Sequence, residues 1–423
     1  MTRHWIFEIL KHVKRKIPFI RVHLSFFIFK STPAGSILLI ILLSLAGLCF
    51  SSSGNAFESP YQESSSFRIE AHRWEEADKL FRSDSRWLGG DGAASVDLGH
   101  GRVLWLFGDS LIDLSGSGVR RTSDLVRNSI ALQKGYDPAS AEMQFVWKMN
   151  GNRPAAFFSK GSDHWFWPGS GIMVGNRLLI FLMEIKKARN PLGFDACGWK
   201  AVWIENPGET PDKWKLTYLK SPVKDGLIVG SGNPVLENGF LYVFAADNKD
   251  RAVCLVRWLE GSAITGTLTS PQWWAGEEMG WVGPEVRAAK PRPIIADGQM
   301  EFSVAYVPRL KSYLQVQTLS MANPCLSMST AKALTGPWSR HACFFTPSEK
   351  GMPEILIYAG KSHPMLHGAD MVFTYVVNTT REDRILNDMS IYFPNMIKGR
   401  IKTDRIPYPL SGNPPAFYVF REK

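Results

Sequence analysis

The sequence of 423 residues lacks the motifs that would assign it to several common enzyme classes. It contains no P-loop, no glycine-rich dinucleotide fingerprint and no G-x-S-x-G elbow around a nucleophilic serine. Its five cysteines form no C-x-x-C or C-x-H pair, so the usual ligand spacing of a zinc site is missing. These absences argue against a nucleotide-dependent enzyme, a serine hydrolase with an elbow and a zinc finger.

Charged residues are also few, and most of the excess of positive over negative charge lies at one end of the chain. Charged residues make up 21% of the chain, whose formal net charge is +10. Residues 1–56 contain seven Lys or Arg residues against one acid, Glu8, so most of that excess lies there. The remainder has no Lys/Arg run of the kind that follows a phosphate backbone, and we expect no binding to nucleic acid.

The most apolar run is too short to span a bilayer comfortably. It is SILLIILLSLAGLCF, residues 36–50, whereas a spanning helix needs about 20 apolar residues. Basic residues precede it, and the small residues Gly54 and Ala56 follow, which is the pattern of a signal peptide. The basic lead-in is long for a cleaved signal, so an uncleaved membrane anchor stays open. Both alternatives predict an exported body that is periplasmic, extracellular or membrane-anchored.

The chain therefore divides into three parts. Residues 1–56 are the basic N-terminus with the signal or anchor segment, residues 57–66 belong to a Ser-rich linker, and residues 67–423 form the body. In the body, short apolar or alternating runs recur between Gly, Pro, Asn and Asp, and include RVLWLF, RLLIFLM, FLYVFA, EFSVAYV, YLQVQTL and MVFTYVV. Such runs are typical of short antiparallel strands.

A weak internal repeat organises these runs. Each unit has a small-residue turn, a short strand, a tight turn and a strongly apolar strand, and the units are residues 90–110, 169–186, 230–248, 283–309 and 361–379. Five units predict an all-β fold, a five-bladed β-propeller, in preference to a sandwich of generic hairpins. In a propeller the first strand of each blade lines a central channel. Residues at the starts of the units are thus expected to meet there.

Two aspartates flank the most strand-like run and sit beside glycines. Asp91 precedes it and Asp109 follows it, in GGDG and FGDS. Such pairs are ordinary turn chemistry. The alternative is that both carboxylates line one pocket, where glycine lets the backbone and a ligand approach each other.

The four cysteines of the body permit one or two disulfides, but we expect them to be buried free thiols; they are Cys197, Cys254, Cys325 and Cys343.

The first unit and three later motifs resemble a known family. GGDGAASVDLGHGRVLWLFGDSLI, RNSIAL (127–132), TGPW (335–338) and YAGKSHPML (358–366) are similar to the five-bladed propeller glycoside hydrolases. The closest resemblance is to formerly uncharacterised bacterial propellers that include endo-D-arabinanases. It covers roughly residues 66–420. Ser110 follows FGD where the family pattern has threonine, which leaves the subgroup and its sugar open.

The resemblance implies catalysis by carboxylates in the central pocket. Glycosidic cleavage needs one carboxylic acid to protonate the leaving oxygen and one carboxylate to activate water or attack the sugar. Asp91 and Asp109 match the family's pair, and Glu285 sits where more distant relatives carry a general acid. We assign Asp91 as base or nucleophile, and Asp109 or Glu285 as acid.

Further residues are candidates for binding a polysaccharide or glycan. Arginine offers a fork of donors to hydroxyls, and tryptophan can stack on a sugar ring. The candidates are Arg127, Asn128, Trp165, Trp167, Asn233, Tyr306, Arg309 and His363. We expect a monomer with no cofactor and no catalytic metal; a structural calcium or sodium ion on the propeller axis stays open, without a ligand motif.

Two other functions use the same scaffold. A non-catalytic carbohydrate-binding propeller would keep the tryptophans and not need the carboxylates. A glycan phosphorylase or transferase would need a basic site for phosphate or acceptor, for which Arg120, Arg121 and Arg127 are available.

Overall fold

The computed structural model describes residues 67–161, 163–190, 193–219, 226–286, 289–320 and 324–403. The predicted signal or anchor segment, the linker and the last part of the predicted body, residues 404–423, lie outside the described residues. Within the described ranges, no helix combines the length and the hydropathy needed to cross a bilayer.

Strands dominate the described chain, as the alternating runs predict. The first fourteen are β1 (Phe67–Arg73), β2 (Trp87–Gly90), β3 (Ala94–Gly99), β4 (Arg102–Phe107), β5 (Ser110–Ile112), β6 (Asp124–Val126), β7 (Ser129–Lys134), β8 (Glu142–Val146), β9 (Lys148–Asn150), β10 (Arg153–Ala155), β11 (His164–Val174), β12 (Arg177–Lys187), β13 (Phe194–Ile204) and β14 (Leu216–Leu219).

The second half of the described chain has the same character. Its strands are β15 (Leu227–Val229), β16 (Val235–Glu237), β17 (Phe240–Asp247), β18 (Val253–Leu259), β19 (Gln272–Trp274), β20 (Trp281–Val282), β21 (Ser303–Val307), β22 (Ser312–Thr318), β23 (Leu326–Ala331), β24 (Ala342–Phe345), β25 (Ile355–Ser362), β26 (Met371–Thr379) and β27 (Pro394–Thr403). Three short helices connect strands: α1 (Glu75–Asp78), α2 (Glu260–Ile264) and α3 (Glu382–Asn387).

The described strands form a series of antiparallel sheets, most of them simple meanders. The first two large sheets have the orders β3-β4-β7-β8 and β11-β12-β13-β14. In the third, β15 and β16 both pair with β17, which continues through β18 and β19 to β20. The last two are β21-β22-β23-β24 and β25-β26-β27-β1. Two small sheets, β2-β5-β6 and β9-β10, are inserted around the first large one. The fold is all-β and propeller-like.

The first strand completes the last sheet. β1 pairs with β27 from Phe67 opposite Thr403 to Arg73 opposite Ile397. At the end of β1, the Arg73 guanidinium donates to Asp78 at 2.6 Å and to Glu349 at 3.1 Å. This pairing brings the last sheet in chain order, β25-β26-β27-β1, next to the first.

The apolar core lies between neighbouring sheets. Leu104 and Leu106 of β4, for example, pack with Ile180 and Leu182 of β12, and all four side chains are fully buried. The alternating residues of each strand supply one apolar face to each interface. The polar residues at the starts of the innermost strands lie outside these apolar interfaces and are available to form a functional site.

One repeat unit has a different register from the sequence prediction. We expected EFSVAYV to be the second strand of the fourth unit, but it forms β21, the first strand of its sheet, and YLQVQTL forms β22. The segment that opens the predicted unit, around Glu285, lies in the exposed turn after β20 instead. A proline-rich stretch cannot supply a regular ladder of N–H donors, which explains why no strand forms at residues 291–293.

The expectation of free thiols is wrong for one pair of cysteines. Cys325 and Cys343 form a disulfide that joins neighbouring strand segments of the β21–β24 sheet. Cys254 is a buried free thiol, and Cys197 is a free thiol that is exposed.

Arg120 is buried, and its hydrogen bonds go to backbone carbonyls. Its guanidinium donates to the carbonyl oxygens of Leu88, Ile385, Asp388 and Ile391 at 2.7–2.9 Å. Burial lowers the pKa of this side chain to about 10. The guanidinium therefore ties the segment after α3 to the strand that leads into the first unit.

Replacement of Arg120 tests this tie. Arg120→Met leaves four carbonyls without their donor, and we expect it to lower the free energy of unfolding by about 3 kcal/mol, since an unsatisfied buried polar group costs roughly 1–3 kcal/mol. Urea denaturation measures the change. The exposed neighbour Arg121, which bonds to the Asn387 side chain, serves as control. Arg121→Met should change stability by less than about 0.5 kcal/mol; equal effects of both substitutions would contradict the tie.

Candidate active site

The strand geometry brings Asp91 and Asp109 together. In the β2–β5 pair, Gly90 lies opposite Ser110, so the residues that follow and precede them are neighbours. The backbone oxygen of Asp91 accepts a hydrogen bond from the amide of Gly108 at 2.9 Å. The two aspartates therefore sit side by side, Asp91 just after β2 and Asp109 just before β5.

A glycine permits this approach. A Cβ atom on Gly108 would lie 2.4 Å from Asp91 Oδ1, closer than van der Waals contact allows. Gly92 has a φ of +83°, in the region that favours glycine, and turns the chain from Asp91 into β3. The glycines next to the two aspartates thus serve both turn geometry and the close packing of a carboxylate.

The Asp91 carboxyl is held by residues from the far end of the chain. Tyr358 donates its hydroxyl to Asp91 Oδ2 at 2.7 Å, and Asn378 donates to that hydroxyl oxygen at 2.9 Å. Beside them, the buried Lys361 ammonium donates to the backbone oxygen of Gly92 at 2.7 Å and to Glu301 Oε1 at 2.9 Å.

A β-bulge allows Tyr358 and Lys361 to serve one site. Residues three apart in a regular strand point to opposite faces. In β25 the register shifts between these two residues, and Ala359 has a φ of +57°. The extra residue restores a common direction, as bulges do when they re-aim a side chain.

Asp109 receives a donor on each carboxylate oxygen. Arg127 Nη1 donates to Oδ2 at 2.9 Å and Trp167 Nε1 donates to Oδ1 at 2.8 Å. The Tyr392 hydroxyl donates to the backbone oxygen of Asp109 at 2.9 Å. The Asp109 side chain remains 18% exposed, so a ligand can reach it.

The two carboxyl groups have different surroundings, and these surroundings act differently on their pKa values. Burial and the negative charges of Asp109 and Glu301 raise the pKa of Asp91 to about 8. Burial also raises the pKa of Asp109, but the Arg127 charge and the Trp167 hydrogen bond oppose that rise. The Arg127 charge and the Trp167 hydrogen bond favour the ionised form of Asp109, whereas Asp91 accepts its side-chain hydrogen bond from the neutral Tyr358 hydroxyl. The two environments therefore favour retention of a proton by Asp91.

The glutamate whose charge acts on Asp91 is Glu301 and not the predicted Glu285. Glu285 is exposed in the turn after β20, whereas Glu301 lies two residues before β21. The cause is the register of the fourth unit described above. Reading EFSVAYV followed by YLQVQTL as the hairpin would have identified Glu301 from the sequence.

Two predicted binding residues are buried and fully engaged with the protein. Asn128 bonds to the backbones of Phe158 and Phe166 at 2.8 Å, and its amide donates and accepts there. His363 bonds to Ser95 at 2.6 Å and to Thr374 at 2.8 Å. Burial lowers the pKa of His363 to about 3, which keeps its ring neutral. Both residues are structural.

The two tryptophans of HWFWPGSG differ in their surroundings. Trp167 is half-buried and donates to Asp109. Trp165 is buried, and the Arg127 guanidinium lies over its ring at 4.4 Å. Trp165 thus supports Arg127, and only the Trp167 indole is both next to a carboxylate and open to a ligand.

Two of the remaining candidates, Tyr306 and Arg309, lie at or just beyond the end of β21 that is far from Glu301. Tyr306 is 50% exposed at the opposite end of β21 from Glu301, and Arg309 forms an exposed ion pair with Asp370 at 3.4 Å. Five residues of strand separate Tyr306 from Glu301 by roughly 16 Å at about 3.3 Å per residue. Asn233 is half-buried and follows Gly232, which packs against Phe302.

Sequence reasoning missed four residues of this site: Glu301, Tyr358, Lys361 and Tyr392. Tyr358 and Lys361 belong to the YAGKSHPML motif, from which the sequence prediction took only the histidine; the tyrosine bonds to Asp91, and the lysine bonds to Gly92 and Glu301. Tyr392 carries no sequence signal, because its role depends on a left-handed residue (φ +64°) in an irregular segment.

The pKa of Asp91 provides a test of the geometry. Carboxyl-carbon NMR of the protein labelled at aspartate should show one group that titrates near pH 8. Glu301→Gln removes a negative charge and should lower that pKa. Glu285→Gln is the matched control and should leave it unchanged. A larger shift from Glu285→Gln than from Glu301→Gln would contradict the arrangement.

Comparison with solved structures finds the same fold. A Bacteroides ovatus protein that is provisionally described as a hydrolase aligns with a TM-score of 0.62 and 16% identity over 78% of this chain and 90% of that one. Other similar structures include a GH62 α-L-arabinofuranosidase catalytic domain from Coprinopsis cinerea, with a TM-score of 0.43 and 11% identity over 79% and 98% of the two chains. An exo-β-1,3-galactanase from Phanerochaete chrysosporium also aligns, with a TM-score of 0.43 and 11% identity over 74% and 60%.

At the level of sequence, no curated protein matches the chain. A family model matches residues 75–398, which include all the strands from β2 to β26 and the whole carboxylate site. The chain therefore belongs to the family described as "Domain of unknown function (DUF5005)".

Proposed function

We propose that this protein is a glycoside hydrolase in which Asp91 is the general acid and Asp109 is the base or nucleophile. The observation that carries the proposal is the pair of adjacent carboxyls with different protonation environments. Glycosidic cleavage needs such a pair, one member protonated and one ionised. The motifs shared with propeller glycoside hydrolases support the same reaction class.

Asp91 suits the acid because it keeps its proton at neutral pH. Its raised pKa, about 8, follows from burial and from two neighbouring negative charges. A general acid works best when its pKa lies near the working pH. Tyr358 orients one oxygen of Asp91, and the other lies against Gly108, which has no side chain.

Asp109 suits the anionic role because both of its oxygens accept hydrogen bonds. Arg127 contributes a permanent positive charge and Trp167 a neutral donor. As base, Asp109 would take a proton from water; as nucleophile, it would form a bond to the anomeric carbon that water later breaks. This assignment reverses the roles that we expected from the sequence.

Within the described structure, Glu301 and Lys361 form no hydrogen bond to the Asp91 carboxyl group, but their charges act on it. The Lys361 ammonium fixes Glu301 beside the Gly92 backbone, and the charge of Glu301 helps to keep Asp91 protonated. Glu301 is therefore proposed as a positioning and tuning residue.

We further propose an exported enzyme with five blades that acts on a polysaccharide or glycan, with arabinan-like substrates as the first to test. Five sheets of at least four strands and the closure of the last one by β1 support the blade count. The Cys325–Cys343 disulfide supports an oxidising compartment, where such bonds persist.

The phosphorylase or transferase alternative receives less support from the arginines. Arg120 is buried on four backbone carbonyls, Arg121 bonds to Asn387, and Arg127 bonds to Asp109. None of the three therefore offers a guanidinium without protein partners to a phosphate.

Product analysis tests the function directly. Incubation with a panel of arabinans, galactans and related envelope polysaccharides should release sugars from one class without added phosphate. Asp91→Asn and Asp109→Asn should each lower kcat/KM by at least about 100-fold, the lower range for loss of acid–base catalysis. Glu285→Gln should stay within about twofold, since the residue is exposed and outside the pair.

Each alternative has its own result in the same assay. Formation of sugar phosphates that depends on added phosphate would show that the reaction is phosphorolysis and not hydrolysis. Saturable polysaccharide binding without release, unaffected by Asp91→Asn, would indicate a carbohydrate-binding propeller.

The acid limb of the pH profile reports on Asp109. Trp167→Phe keeps an aromatic ring but removes the donor to Oδ1, so the pKa of Asp109 should rise. The acid limb of kcat/KM should then move to higher pH. Trp165→Phe is the control, because the Trp165 indole nitrogen has no hydrogen-bond partner within the described structure. An equal displacement in both variants would contradict the role of the indole.

A further inference from the structure

Three side chains with metal-binding atoms converge at one end of the β11–β14 sheet, apart from the carboxylate pair. They are His164, Glu184 and Cys197, and we call them the β11-end cluster. One ligand atom of each lies within 4.8 Å of the others. His164 Nδ1 lies 2.6 Å from Glu184 Oε1 and 3.9 Å from Cys197 Sγ.

Three neighbouring strands build this cluster. His164 begins β11, Glu184 lies near the end of β12, and Cys197 lies in β13. The register between β12 and β13 shifts so that Cys197 is the extra residue, and its thiol turns to the backbone oxygen of Glu184 at 3.4 Å. The bulge places the sulfur on the same side as the carboxylate and the imidazole.

We propose that the β11-end cluster binds a divalent transition-metal ion of the zinc class. An imidazole nitrogen, a thiolate and a carboxylate oxygen are the three ligand types that zinc takes in proteins, with water completing four-coordination. The thiolate selects against the hard cations calcium and magnesium. The spacing of the three residues along the chain, 20 and 13 positions, follows no zinc motif, so the sequence alone did not indicate the site.

Lys160 sets the affinity of this cluster. Its ammonium contacts Glu184 Oε1, the oxygen that His164 also contacts. A bound cation takes over that oxygen, so the lysine must turn away into solvent, and the cysteine must release its proton. Both side chains can respond, because Lys160 is 37% exposed and Cys197 is at the surface.

The cluster stands at the head of the strand that serves Asp109. His164 begins β11, and Trp167, three residues later, donates to the Asp109 carboxylate. A cation that ties β11 to β12 and β13 at this end restrains the strand from which the indole projects. Metal binding at this cluster is measured without reference to catalytic activity.

Metal titration of the full-length protein, stripped with a chelator, tests the proposal. Isothermal titration with Zn²⁺ should give one saturable site, and Co²⁺ should give the near-ultraviolet band of a thiolate ligand. Cys197→Ser and His164→Ala should each weaken Zn²⁺ binding at least tenfold, and Cys197→Ser should abolish the thiolate band. Lys160→Ala should tighten binding, because it removes the competing ammonium.

Cys254→Ser is the matched control, since Cys254 is the other free thiol of the described chain and lies outside the cluster. It should leave both metal signals unchanged. The proposal is overturned if the wild type shows no saturable site at micromolar Zn²⁺, or if Cys197→Ser binds as tightly as the wild type. Thermal melting of every variant identifies any loss of folding. If the Cys197 and His164 variants do not fold, Lys160→Ala decides, because Lys160 is exposed. Unchanged or weaker Zn²⁺ affinity of that variant also overturns the proposal.

Discussion

The pairing of β1 with β27 is the contact on which the site depends. It completes the last sheet with the first strand of the body, so that β25 and β26 stand next to the first unit. Tyr358 reaches Asp91 across 267 residues of sequence for this reason. The Arg73 and Arg120 guanidiniums reinforce the closure from both sides, through carboxylates in one case and backbone carbonyls in the other.

The closure of the last sheet by β1 places two carboxyl groups close together in a partly buried space, and this disfavours their ionisation. Two carboxyls in a partly buried space cannot both ionise easily, because burial disfavours charge and each charge disfavours the other. Donors from separate sheets act unequally on the two groups: Asp109 receives Arg127 and Trp167, while Asp91 receives the neutral Tyr358 phenol. This unequal distribution of donors favours retention of a proton by Asp91.

Strand irregularities do much of the positioning at this end of the molecule. The bulge in β25 turns Tyr358 and Lys361 to one side, and the bulge beside Glu184 turns Cys197 toward His164. Both sites therefore rest on a departure from the alternation that makes strands recognisable in a sequence. The same departures explain why the residues involved were missed or were assigned other roles.

The sequence by itself determined the all-β class, the strand pairs of the first three units and the proximity of the two glycine-flanked aspartates. These features depend on alternation, turn residues and short-range pairing, which are local. Only the tertiary structure decided that the charge of Glu301 and not that of Glu285 acts on Asp91, that Cys325 pairs with Cys343, and which donors each aspartate receives. Neighbours far apart in the chain, and the burial they impose, determine all three, and a pattern of residue types carries neither distance nor burial.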